Sequence, residues 1–221
     1  MAKMVWDQIG ERLYETGVEQ AAIFPIGTDG KYTTGAPWNG LTAITESPSG
    51  AEPTPLYANN KKYIELMSTE EFGGTIEAYT YPDEFAECNG EKTVEGITGF
   101  TVGQQTRKMF GLVYKSLIGN DTEGIKHGYK LNIVYNARVS PSEKANNTVN
   151  DSPEATTMSW EFSTTPVEIE GYDASAHLVF DSTLMDETKL KSLEAKLYGS
   201  ESEEPQLLMP DEIIDLLGAE G

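Results

Sequence analysis

The sequence predicts a mainly β protein carrying one flanking helix. Apolar residues alternate with polar ones in most periodic segments, the period of half-buried strands. Gly (21) and Pro (11) punctuate those segments with turns, and one stretch near the C-terminus has helical spacing. A length of 221 residues fits one large domain, or one domain with extra arms.

Residues 18–26 place Val18, Ala22, Phe24 and Ile26 on one face, with Gln20 interrupting. Residues 107–118 place Phe110, Leu112, Tyr114 and Ile118 on one side. The expected partner is residues 129–139, with Leu131, Ile133, Tyr135, Ala137 and Val139 facing one way and Asn132, Asn136 and Arg138 the other. A linker over residues 119–128, rich in Gly, Asn and Asp, makes these a long hairpin. Met158, Trp160 and Phe162 alternate with Ser159, Glu161 and Ser163, and Ala176, Leu178 and Phe180 form a last short strand. The helix follows: Asp186 caps it, Leu190, Leu193 and Leu197 recur at its spacing, and Gly199 stops it. A second, short helix is expected to start at Pro82 and to end at Asn89-Gly90.

Residues 27–55 and 140–153 read as less core-like. Residues 201–221 hold seven acids and no base, yet contain Leu207, Leu208, Met209, Ile213, Ile214, Leu216 and Leu217. Two readings stand: an arm that docks elsewhere, or a terminal helix closing its own domain.

The net charge is −20, from 16 Lys+Arg and 36 Asp+Glu. That balance disfavours a nucleic-acid grip, which needs clustered bases, and an anionic-membrane binder. A single cysteine, Cys88, rules out an intrachain disulfide framework or a Cys-based zinc cluster, and two histidines rule out a multi-His metal site within one chain. No stretch approaches the length of a membrane helix, so a protein kept in a reducing cytoplasm is expected. The Asn-x-Ser/Thr triplets at Asn120, Asn146 and Asn150 read as loop composition. No catalytic or cofactor motif is present. His177 reads as a strand residue, Cys88 as a structural thiol, and the acid pairs Glu70/Glu71 and Asp83/Glu84 as chance neighbours among many acids. Gly73-Gly74 is a turn or bulge signal. Tyr57, Tyr63, Tyr79 and Tyr81, with Leu56, Ile64, Leu66, Met67, Phe72 and Ile76, suggest a protein–protein surface; Lys61-Lys62 suits an acidic patch on a neighbouring copy.

Several runs resemble the siphophage major tail protein family. They are Tyr14-Glu15-Thr16-Gly17-Val18; Trp38-Asn39-Gly40-Leu41-Thr42, followed by Glu46-Ser47-Pro48-Ser49-Gly50-Ala51-Glu52; and Pro55-Leu56-Tyr57-Ala58-Asn59-Asn60-Lys61-Lys62-Tyr63. The last continues through Glu70-Glu71-Phe72-Gly73 to Glu77-Ala78-Tyr79-Thr80-Tyr81-Pro82-Asp83-Glu84-Phe85. The resemblance spans most of the first 140 residues and extends more loosely to the helix near Leu190.

It implies a tail tube protein: two packed antiparallel β-sheets, sandwich- or barrel-like, with a flanking helix and extended arms. Stacked rings, six-fold in the usual case, would surround a channel for genome delivery. Partners would be identical copies, the tail tip, the tape measure and the terminator; DNA would pass without specific binding. Assembly would take place in the host cytoplasm, and no cofactor, metal, membrane or catalytic role is implied.

On this view residues 1–17 and 201–221 are arms and 18–200 the domain, with an inter-subunit loop or hairpin within about 38–81. Its candidate contacts are Leu56, Tyr57, Lys61, Lys62, Tyr63, Phe72 and Tyr79; the C-terminal anchors are Leu207, Leu208, Ile213, Ile214 and Leu217; the lumen acids are Glu77 and Glu161. Carboxylates repel phosphates, so an acidic bore lets DNA slide. The competing readings are a carbohydrate-binding or hydrolytic β-sandwich, the inner tube of a contractile tail, and a head decoration protein.

Overall fold

A computed structural model describes residues 3–149, 151 and 154–218. The outermost ends of both expected arms and the start of the Asn150 triplet lie outside the described residues. The strands are β1 (Tyr14–Pro25), β2 (Ala36–Pro37), β3 (Leu41–Glu46), β4 (Pro53–Ala58), β5 (Lys61–Met67), β6 (Gly73–Ala78), β7 (Lys92–Thr93) and β8 (Thr101–Val102). They continue as β9 (Phe110–Asn120), β10 (Gly124–Val139), β11 (Met158–Ser163), β12 (Val167–Ile169), β13 (Tyr172–Ser175) and β14 (His177–Asp181). Two helices close the chain, α1 (Glu187–Tyr198) and α2 (Pro210–Gly218).

The architecture is mainly β. Eight strands form one antiparallel sheet in the order β2-β1-β9-β10-β11-β6-β3, with β14 also paired to β10. The sheet does not close into a barrel. The sixteen residues of β10 serve both of its halves: residues 130–134 pair with β14, while Arg138 and Val139 pair with β11. The two halves face each other over a core containing Ile23, Trp38, Ile76, Phe85, Phe110, Leu112, Trp160 and Phe162. A second core lies on the other side of β1, β9 and β10. There Phe24, Val113, Leu131, Ile133 and Tyr135 meet Leu190, Leu193 and Leu197 of α1 and Leu207 and Ile213 of the C-terminal segment.

Of the register shifts in the large sheet, two fall inside the segments read as alternating, residues 18–26 and 129–139, and each is a bulge. In β1, Glu19 pairs with Lys115 but Ala22 with Val113, so one residue is extra; Gln20 takes φ 51° there. Val18 therefore packs on the first core while Ala22 and Phe24 enter the second, and these residues do not share one face. In β10, Val134 pairs with Leu112 but Ala137 with Phe110, with Asn136 at φ 49°. Leu131, Ile133 and Tyr135 face the helices, whereas Ala137 and Val139 turn to the first core. The expected single face of residues 129–139 is thereby corrected. Each bulge inverts side-chain parity, so one strand feeds both cores. The β9–β10 hairpin is as expected, but its strands run on to Asn120 and from Gly124, leaving a turn much shorter than residues 119–128.

The predicted helix forms as α1. The Asp186 carboxylate accepts from the Thr188 and Lys189 amides at 2.9 and 3.1 Å, satisfying two otherwise orphaned donors. Asp186→Ala is expected to cost about 1 kcal/mol, read as a lower denaturation midpoint with an unchanged slope. Asp186→Asn is expected to recover most of it. At Pro82 only a 3-10 turn forms, Asp83–Phe85, which sinks Phe85 into the first core.

A second helix is present where the sequence left two readings. In the single chain, α2 packs on α1 and β12. Its approach is fixed by the Gly35 amide to the Pro205 carbonyl (3.2 Å), the Gln206 amide to the Lys196 carbonyl (2.8 Å), and the Tyr135 hydroxyl to the Leu208 carbonyl (2.8 Å). The Glu212 carboxylate accepts from the Met209 amide at 2.8 Å and caps α2. Gly111 leaves room for the Leu207 methyl, which lies 2.1 Å from where a Cβ would sit.

Candidate assembly surface

Residues 41–78 form one continuous β-hairpin with two parts. Its base, β3 and β6, belongs to the large sheet. The ladder continues outward through the Ser47 amide to the Gly73 carbonyl (2.8 Å), and through Ser49 and Glu71, whose backbones exchange bonds at 2.8 and 2.7 Å. Beyond that point β4 and β5 pair only with each other, and every residue of both is exposed. The tip is a two-residue turn with Asn59 and Asn60 at φ 50° and 60°, a conformation asparagine tolerates and a twisted hairpin favours. The register places Leu56, Ile64 and Leu66 on one face, between 44% and 52% exposed. Tyr57 and Tyr63 are 70% and 77% exposed.

Of the predicted contact residues, Leu56, Tyr57, Lys61, Lys62 and Tyr63 come together on this projecting hairpin. Tyr79 is exposed just beyond β6. Phe72 belongs to the base: it packs against the first core and stacks on His177, ring centroids 4.2 Å apart. Gly74, within the pair the sequence marked as a turn or bulge signal, lies inside β6. A Cβ there would meet the Thr45 carbonyl oxygen at 2.3 Å, so glycine permits the close approach of β3.

Glu77 and Glu161 share the outward face of β3, β6 and β11. Register sets Thr75 opposite Glu161 and Glu77 opposite Ser159, making the two acids diagonal neighbours. Thr45, Ser163 and Arg138 extend this polar row. The opposite face of the same strands is the first core.

Open strand edges within the large sheet include those of β3, β14 and the first half of β1. β3 pairs only with β6, and β14 only with β10. β2 covers β1 only at Ala22 and Ile23, leaving residues 14–19 with one partner strand, β9. Ahead of β1, Met4, Val5, Trp6, Ile9 and Leu13 are all at least 60% exposed. Their segment is tied down by the Gly10 amide to Asp121 (2.9 Å) and by Arg12 to Asp121 (3.7 Å). Of the C-terminal anchors, Leu207 and Ile213 are buried in the second core, Leu208 and Leu217 pack against it, and Ile214 is 47% exposed.

Both histidines are hydrogen-bonded within the fold, and the one cysteine is buried. His177 Nε2 lies 3.2 Å from Asn132 Oδ1, and burial holds its pKa below the usual histidine value. His127 Nδ1 lies 2.7 Å from Glu123 and 3.2 Å from the Asn120 amide. Burial pushes the Cys88 thiol up to about 12, against a smaller downward pull from Lys108. Native protein is therefore expected to resist thiol reagents at pH 8 and to label fully once unfolded. Burial likewise raises the phenols of Tyr114, Tyr129, Tyr135 and Tyr198. Each group stays neutral in the fold at a pH where the unfolded chain ionises. Stability is present below about pH 8.5 and falls as pH rises from there toward 12, first through Cys88 and then through the phenols. Among the described residues, no group of three His, Cys, Asp or Glu is placed to hold a metal. Trp38 and Trp160 are buried and offer no sugar-stacking platform.

No protein-family profile matches the sequence, and no curated protein matches it. Solved structures with a similar backbone include the SPP1 tail tube, determined by solid-state NMR and cryo-electron microscopy. It is 10% identical over 79% of this chain and 83% of that chain, with a TM-score of 0.40. A chain from the six-fold symmetrised baseplate of the anti-feeding prophage is 6% identical, over 82% of this chain and all of the other, with a TM-score of 0.34.

Proposed function

We propose that this chain is a self-assembling structural protein of a phage tail, building stacked rings around a channel for the genome. The observation that carries this reading is the 41–78 hairpin. Its base supplies an open edge strand to the sheet, and its tip projects with both faces bare. An isolated two-stranded hairpin is marginal in water, so a surface of this kind gains stability when another molecule covers it. Open edges invite β-pairing, and identical neighbours that pair through them in rotation close a ring. Ring-on-ring contact is head-to-tail, does not close, and extends a filament.

The bare polar face bearing Glu77 and Glu161 is the side assigned to the channel. Apart from Arg138 at the end of the row, its serine, threonine and acid side chains offer phosphates little to hold, and a net charge of −20 adds repulsion. The chain has no catalytic role in this reading. Electron microscopy of concentrated purified protein is expected to show rings or hollow filaments. A monomer at every concentration, also with tail tip added, overturns it.

A further inference from the structure

An apolar groove of about 740 Å³ runs between α2, β13 and β14. Its walls include Tyr172, Leu178, Phe180, Ile214 and Leu217, with Asp173 among them. Tyr172, Val179 and Ile214 leave 75%, 48% and 47% of their surface to solvent. The open edge of β14 runs along it.

We propose that this groove receives the β4–β5 hairpin of a second copy of the chain; the inference rests on the self-assembly reading above. Charge selects this occupant. Residues 53–67 carry Lys61 and Lys62 against Glu65; Glu65 pairs with Lys62 at 2.5 Å, so Lys61 supplies the net positive charge of this segment in a chain of −20. Among the described residues, Asp173 is the one charged residue lining the groove; the segments that supply its walls, 168–181 and 210–218, hold seven Asp and Glu and no Lys or Arg, and Lys189 of α1 donates to the Leu217 carbonyl at 2.5 Å. Shape agrees with charge. The face formed by Leu56, Ile64 and Leu66 lacks a partner among the described residues of its own chain, and the groove is an apolar trough with one acid, Asp173, in its lining. An interface with an apolar centre and a charged border combines burial with steering. The exposed N-terminal segment is the other apolar candidate, but its Lys3 and Arg12 are offset by Asp7 and Glu11, and Arg12 already faces Asp121.

The test mixes a Tyr57→Cys chain with an Ile214→Cys chain, assembles them and oxidises; Cys88 is buried and stays in place. Leu184→Cys, at a site 84% exposed and outside the groove's walls, replaces Ile214→Cys as the control. Disulfide-linked dimers are expected several-fold above the control. Lys61→Glu with Lys62→Glu is expected to raise the concentration needed for assembly roughly tenfold, and Asp173→Lys to restore part of it. Assembly without enrichment of the 57–214 pair overturns the inference and leaves the self-assembly reading intact. So does preferential linking of Trp6→Cys to Ile214→Cys, which would seat the N-terminal segment in the groove. Failure of the unmodified chain to assemble at all overturns both.

Discussion

Trp160→Ala is expected to lower stability by about 3–5 kcal/mol and the melting temperature by roughly 6–20 °C. Trp160 is 2% exposed and stands where the two halves of the sheet meet. Its ring lies 5.7 Å from Trp38, 5.6 Å from Tyr81 and 5.3 Å from Phe85, in edge-on arrangements that aromatic quadrupoles favour. Truncation removes one of the two indoles of the set and opens a void that the three remaining rings cannot fill. It also removes the donor to the Asn89 side-chain oxygen Oδ1, which accepts from the indole nitrogen at 3.1 Å. Trp160→Phe keeps most of the volume and loses that bond, so a clearly smaller loss is expected. Thermal denaturation followed by circular dichroism separates the two. Equal losses would mean that the hydrogen bond, and not the volume, dominates.

Glu194→Ala is the second substitution with a large expected effect. Lys115 projects from β9 toward α1 with its side chain 9% exposed, and its ammonium lies 2.7 Å from the Glu194 carboxylate. The same ammonium sits 4.1 Å above the Tyr129 ring, and the Tyr129 hydroxyl donates to Glu194 at 2.7 Å. Removing the carboxylate leaves a desolvated cation with only the ring faces of Tyr129 and Tyr198 for company, which costs about 3–5 kcal/mol. Removing both charges with Lys115→Met and Glu194→Leu is expected to come within about 1 kcal/mol of the native protein or to exceed it, because neither group then pays desolvation. A double variant as unstable as Glu194→Ala would show that packing of the acid's stem carries the effect.

Strand identities, the β9–β10 hairpin and the cap of α1 were legible because each depends on local pattern. The bulges were not. Alternation reads straight through Asn136, and at Gln20 only one polar residue interrupts the apolar face, since a bulge preserves composition and changes only parity. Asn136 offered a faint signal, as asparagine tolerates positive φ; Gln20 offered only its polar side chain on an otherwise apolar face. The C-terminal segment shows a different limit. Pro210-Asp211-Glu212 announces a helix start, but an apolar stripe does not say which molecule it covers. That answer needed Gly111, a hundred residues away, to reveal the space for Leu207. At the candidate surface, tyrosines and lysines marked the region, while pattern alone did not separate the hairpin's base from its tip. Phe72 belongs to the base because its ring meets His177, a pairing set by the tertiary fold.

The division of labour within residues 41–78 has a kinetic consequence for the isolated chain. Amides of β6 lie between two strands over a packed core, so their deuterium uptake waits for the whole domain to open. Those of β4 and β5 are held by a ladder two strands wide, and a local fluctuation releases them without disturbing either core. A purified monomer is therefore expected to exchange fast at the tip and slowly at the base, the boundary falling near Ser49 and Glu71. Slowing of the tip in polymerised material would time-stamp the moment at which the hairpin finds its cover.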